Sequence, residues 1–217
     1  YYAATLVPLG AADAASGIDL TLELAGSIAG TVTFSSPPPL FPGYVEAYGG
    51  GSPCCAYMSA SIQNDGTYVI NGLPPGDYTI HVYASGFVGE YFDNVVEGSG
   101  GATTPVTVNA LQTTTGINFS VDLGGTVSGT VTDGNGDPIL NAYVYLYKDG
   151  CCGSWFAWAN NGSFNLDRLP PGNYRVAAYA AGYQFEYYDN TQDYGLATLV
   201  NVTAGGVSSG IGIALEP

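Results

Sequence analysis

The stretches "GLPPGDYTIHVYASGF" (residues 72–87) and "RLPPGNYRVAAYAAGY" (168–183) are one motif written twice, and they decide the fold. Pro-Pro-Gly is a turn: proline presets φ, and glycine supplies a backbone conformation that other residues avoid. The residues after the turn alternate. Tyr78, Ile80 and Val82 face one way and the residues between them the other, as in a strand with one buried face.

Outward from the motif the repetition continues. "GTVTF" (30–34) returns as "GTVTD" (129–133), "EYFDN" (90–94) as "EYYDN" (186–190), and "GINFSVDL" (116–123) as "GIGIALEP" (210–217). The offset runs from 94 to 99 residues, the slack falling in loops. "ATLVPLGAADAASGIDLTLEL" (4–24) aligns without a gap to "ATLVNVTAGGVSSGIGIALEP" (197–217), so the first 24 residues read as the tail of a further repeat. The expected organisation is trailing strands over 1–24, one repeat over 25–123 and another over 124–217. The tail has three readings: a window onto a longer tandem array, a donor strand that docks on a neighbour, or a proteolytic remnant.

Each repeat offers roughly seven short strands with turn signals every 8–12 residues, the pattern of a β-sandwich. Composition agrees. Glycine (32) and tyrosine (18) abound and charged residues are only 10%, so helix-forming surface residues are scarce. The fold class expected is all-β, as tandem Ig-like or transthyretin-like sandwiches.

Charge excludes whole classes of partner. Formal net charge is −15, with Lys148, Arg168 and Arg175 the only basic residues, so neither a nucleic-acid backbone nor an anionic membrane surface is expected as a partner. No apolar run reaches the roughly 20 residues of a membrane-spanning helix, and membrane insertion is not expected.

On these residues the chain resembles the carboxypeptidase regulatory-like family, transthyretin-like or Ig-like sandwiches found in tandem on secreted and bacterial surface proteins. The resemblance implies spacers, stalks and accessory modules without catalysis. Collagen-adhesin B-type repeats are similar too, and many carry a Lys–Asn isopeptide bond. The first repeat has no lysine and Lys148 ends the "YVYLYK" strand, so no such bond is expected.

The four cysteines form two adjacent pairs, Cys54-Cys55 and Cys151-Cys152. A zinc site needs gaps between its ligands, and the single histidine, His81, is no help; a CxxC redox motif is absent. Disulfides remain. Neighbouring Cα atoms lie about 3.8 Å apart, under the roughly 4.4 Å lower end of ordinary bridges, so a vicinal bond makes a strained ring that would rigidify a loop. Cross-links to another repeat or chain are the other reading. Both are structural, and the ring is preferred.

Further candidates stand against plainer readings. Asp133, Asn135 and Asp137 alternate as calcium ligands do, but the first repeat has "SSPPPL" there, and an Asp/Asn/Gly turn is the plainer account; Ca²⁺ is the one cofactor the sequence suggests. Trp155, Phe156 and Trp158 could stack on sugars or pack at an interface, or equally be one core residue, Phe156, with the two tryptophans at its rim. His81 is expected to face solvent, opposite Ile80 and Val82. Glu90/Asp93 and Glu186/Asp189 could supply an acid–base pair, but the duplication favours a turn in which Asp caps backbone amides. Asn118, Asn161 and Asn201 head glycosylation triplets.

The function expected is structural: a non-catalytic subunit or segment of an extracellular filament or surface stalk that associates with itself or with neighbouring repeats head to tail. The alternative is a glycan-binding adhesin or accessory module using Trp155, Trp158 and nearby tyrosines. An enzyme ranks third.

Overall fold

The computed structural model describes residues 7–11, 14–18, 24–37, 43–49, 56–150 and 153–217, and among these there is no helix. The all-β expectation holds. The first repeat contributes β1 (Gly26–Phe34), β2 (Tyr44–Gly49), β3 (Ala56–Ser61), β4 (Thr67–Leu73), β5 (Gly76–Tyr83), β6 (Glu90–Tyr91), β7 (Val95–Val96), β8 (Val106–Val108), β9 (Thr113–Thr114) and β10 (Phe119–Val121). The second contributes β11 (Gly125–Asp133), β12 (Ala142–Lys148), β13 (Ser154–Ala159), β14 (Ser163–Leu169), β15 (Gly172–Tyr179), β16 (Glu186–Tyr187), β17 (Leu199–Val202) and β18 (Val207–Leu215).

Each repeat has two sheets on one core. In the second repeat the orders are β14-β11-β18 and β13-β12-β15-β16, with β17 also paired to β15. In the first they are β10-β1-β4 and β3-β2-β5-β6-β7, with β9 on β1 and β8 on β5. Inward residues of both sheets form one apolar cluster per repeat, spanning Ile28 to Val121 and Val127 to Leu215. Tyr78, Ile80 and Val82 are wholly buried, as their alternation requires. Burial of each such side chain contributes roughly 1.5–3 kcal/mol.

The Pro-Pro-Gly motif has a visible purpose. Tyr78 donates its hydroxyl to the Pro74 carbonyl (2.8 Å), and Tyr174 does the same to Pro170 (2.5 Å). The phenol fills the core while its polar end satisfies the turn that precedes it.

The pairing of the first and last strands matters most for function. β11 runs parallel to β18 from Thr126↔Val207 to Asp133↔Leu215, and β1 runs parallel to β10. Parallel neighbours enter and leave at opposite ends. Gly30 and Gly129 make this possible: a Cβ on either would stand 1.8 Å from the carbonyl oxygen of Ile117 or Ile211.

Candidate functional site: the junction and its aromatic groove

The repeats meet through a short connection pinned from both sides. Gly124 donates its N–H to Gly86 O (2.9 Å) and accepts from Gly205 N (2.8 Å). The second Pro-Pro-Gly turn then reaches back. Arg168 places its guanidinium over the Tyr83 ring (4.2 Å) and its Nη1 3.3 Å from Glu97 Oε2. Pro170 and Pro171 close a small cavity with Val88, Glu90, Val96, Ser120 and Asp122. Ser154 N donates to Gly98 O (3.2 Å), and Gly98 lies so close to the Trp155 indole that a Cβ there would stand 2.8 Å from it.

His81 belongs to this junction, and its expected exposure is corrected. Its side chain does leave the face of Ile80 and Val82, but the residue is only 5% exposed. Nδ1 lies 3.1 Å from Glu46 Oε1, and Nε2 lies 3.7 Å from Glu97 Oε2, beyond hydrogen-bond length. The Tyr91 ring covers another side at 4.7 Å between centroids. Tyr48 and Tyr57 donate their hydroxyls to Glu46. The His81 ring and the Arg168 guanidinium hold the Glu97 carboxyl below the ordinary value, against the opposing effect of burial.

Beside the junction lies an open groove of about 540 Å³, between edge strands β13 and β14 and walled by Glu97 and Gly98 of the first repeat. Trp155, Phe156 and Trp158 all line it, together with Asn165, Asp167 and Arg168. The alternative with Phe156 as the core residue is corrected: the inward residue is Trp155. Trp155 turns inward and packs edge-to-face on Tyr174 (5.6 Å), while Phe156 and Trp158, two residues apart, share the outer face at 66% and 53% exposure.

That outer face carries more rings. Trp158 packs on Tyr143 (3.9 Å), and Tyr143, Tyr145 and Tyr147 line up along β12 with near-parallel rings 6.3 and 6.4 Å apart. Tyr179 pairs with Tyr143 across β15. Nothing in the three-residue "WFA" pattern announces this surface; it arises because β12 and β13 pair so that Tyr143 meets Trp158 and Tyr145 meets Phe156.

Elsewhere the candidate residues are engaged locally. Asp133 Oδ1 accepts the N–H groups of Asn135 and Asp137 (both 2.9 Å), and these bonds lower its pKa. This is a hydrogen-bonded Asp turn, and no group of three or more metal-binding side chains converges among the described residues. Glu90 and Glu186 are buried, whereas Asp93 and Asp189 are exposed and accept the hydroxyls of Thr104 (3.0 Å) and Thr198 (2.8 Å). Both aspartates have positive φ, 74° and 73°, and they hold threonine hydroxyls where backbone amides were expected. Asn118, Asn161 and Asn201 are exposed; Asn118 Oδ1 accepts from Thr31, and Asn201 donates to Asn173. Cys54, Cys55, Cys151 and Cys152 lie outside the described residues.

Similarity to known proteins divides along the repeats. Residues 126–215 match the model of the carboxypeptidase regulatory-like domain, and residues 53–116 match that of polysaccharide lyase family 4, domain II. No curated protein sequence matches the chain. Among solved structures it is similar to the Bacillus anthracis TIE protein at 16% identity and TM-score 0.36, over 89% of this chain and 34% of that one. It is similar to a streptococcal ancillary pilin at 12% identity and TM-score 0.35, over 90% and 63%. The minor pilin of Streptococcus agalactiae matches at 12% and TM-score 0.35, over 88% and 95%. The chain thus spans about a third of the first of these and under two thirds of the second, and at such scores no role passes from them to this protein. With one repeat matched by the carboxypeptidase regulatory-like model and the other by a fibronectin-like one, the chain is a tandem of β-sandwich domains of the Ig-like, transthyretin-like kind.

Proposed function

We propose that this chain is a non-catalytic subunit or segment of an extracellular filament or cell-surface stalk, in which sandwich repeats succeed one another head to tail and bear load. The parallel pairing of first and last strands carries the reading. Force along such an array enters at Gly125 and leaves at Leu215, and so loads the β11–β18 hydrogen bonds together, in shear. Antiparallel termini at one end would open bond by bond. The pinned Gly124 and the Arg168 contacts add a junction that resists bending. The partners are neighbouring repeats or further copies of the chain. The cysteine pairs would stiffen loops or link neighbours.

The test is single-molecule stretching of a polyprotein containing residues 25–217. Shear loading predicts unfolding forces well above those of a sandwich pulled from one end, with one event per repeat. Low-force, gradual extension would rule out the load-bearing role.

A further inference from the structure

The aromatic outer face of the second repeat is not something the sandwich needs. In the first repeat the positions opposite Tyr44 and Glu46 on the edge strand are Ser61 and Ser59. In the second, the positions opposite Tyr143 and Tyr145 are Trp158 and Phe156. The same register therefore folds with serines, and here it presents Phe156 and Trp158, both more than half exposed. The inner neighbour changes in parallel: His81 and its polar cover in one repeat are replaced by Ala177 in the other. The first repeat turns the His81–Tyr83 part of this face to its junction, and the second leaves the matching part open.

We propose that this face and the adjoining groove bind an uncharged polysaccharide chain. Sugar rings present C–H faces that stack on aromatic side chains and hydroxyls that need polar partners. Phe156, Trp158 and the Tyr143–Tyr145–Tyr147 row supply the first. Asn165 and Asp167, both exposed where the groove meets β14, supply the second, with the tyrosine hydroxyls alongside. Charge selects among ligands. The chain has 18 acidic residues against three basic ones. Arg168 is committed to Glu97 and Tyr83, and Arg175 to Asp149 and the Tyr194 ring. Lys148 lies along Gly172, at the end of β12 away from Tyr143. An anionic polymer therefore meets mostly like charge, and a second copy brings another −15. The contacts that join the two repeats are not repeated on this face either. Gly98, which admits Trp155, has Tyr194 as its counterpart after "EYYDN", and Arg175 lies on that ring (4.3 Å). A neutral glycan is untouched by either objection. The inference goes beyond the load-bearing role and does not depend on it.

Affinity electrophoresis of the whole chain through hydroxyethylcellulose, galactomannan and arabinoxylan, with polygalacturonate as the anionic comparison, tests it. At least one neutral polymer should retard the chain, and polygalacturonate should not. The double variant Phe156→Ser, Trp158→Ser, which installs the residues of the first repeat, should weaken retardation at least tenfold while leaving the thermal transition in place. Asp167→Ala should weaken it less. Absence of retardation by all three neutral polymers, or retardation unchanged in the double variant, overturns the proposal. Concentration-dependent self-association in sedimentation that the same variant abolishes would overturn it too, assigning the face to a second copy.

Discussion

Arg168 sits at φ 58°, in the left-handed region, where the first repeat has Gly72 at φ 75°. A side chain there costs about 1 kcal/mol. What it gains lies across the junction: the stack on Tyr83, worth about 1 kcal/mol, and the partly exposed pair with Glu97, worth no more than about 1 kcal/mol. Arg168→Gly should therefore leave the second repeat about as stable as before while uncoupling the two. Calorimetry would show the two repeats' melting transitions moving apart; an unchanged trace would contradict the coupling. Glu90 makes the opposite kind of case. Burial raises its carboxyl pKa, ahead of the lowering bond from the Ser120 backbone. Its contribution is favourable below its unfolded pKa of about 4.3 and is lost as pH rises through the higher folded value. Glu90→Gln should thus raise the melting temperature at pH 7 and leave it nearly unchanged near pH 4. Residues also mark where a strand pattern reads correctly but incompletely. The side of the strand taken by His81 is legible in "YTIHVYA". Its burial is not, because Tyr91 and Glu97, which cover that side, come from the hairpin that follows the strand.

At the scale of elements, the parallel pairing of first and last strands rests on glycine. A Cβ at Gly129 would stand 1.8 Å from Ile211 O, which is backbone and cannot turn aside. Gly129→Ala should destabilise the second repeat by about 2 kcal/mol, read from chemical denaturation. Gly212, on the partner strand, has nothing within 4 Å of an added Cβ. Gly212→Ala should be neutral or stabilise by about 0.5 kcal/mol. Equal losses at both sites would show that strand propensity, and not the close approach, governs the result. The Pro-Pro-Gly-x-Tyr motif is legible as turn plus strand from sequence alone, since its signal is local. The aromatic face is half legible. "SWFAWAN" announces rings, but which of them share a side depends on parity, and their continuation onto β12 depends on a pairing no local pattern states.

For the whole molecule, the junction decides whether two sandwiches act as one rod. Its polar centre comprises His81, Glu46, Glu97, Arg168 and the neighbouring Asp167. The folded pKa of Glu97 is depressed by His81 and Arg168, so its stabilisation is present above the unfolded value of about 4.3 and lost as pH falls through the folded one. Small-angle scattering should therefore find a fixed inter-repeat distance at pH 7 and a broader distribution near pH 3, at temperatures where both repeats stay folded. A distribution independent of pH would remove Glu97 from the junction. By itself the sequence determined the repeat, its all-β class, the turn that opens β5 and β15, and which alternate residues enter each core. These obey short-range rules of period, proline and glycine that operate within about ten residues. Only the tertiary structure decided that first and last strands run parallel, that His81 is buried, and that Arg168 covers Tyr83 on one outer face while the counterpart face carries Phe156 and Trp158 in the open. Those features join residues far apart in the chain, as Arg168 joins Glu97, and depend on which surfaces meet once both cores have formed.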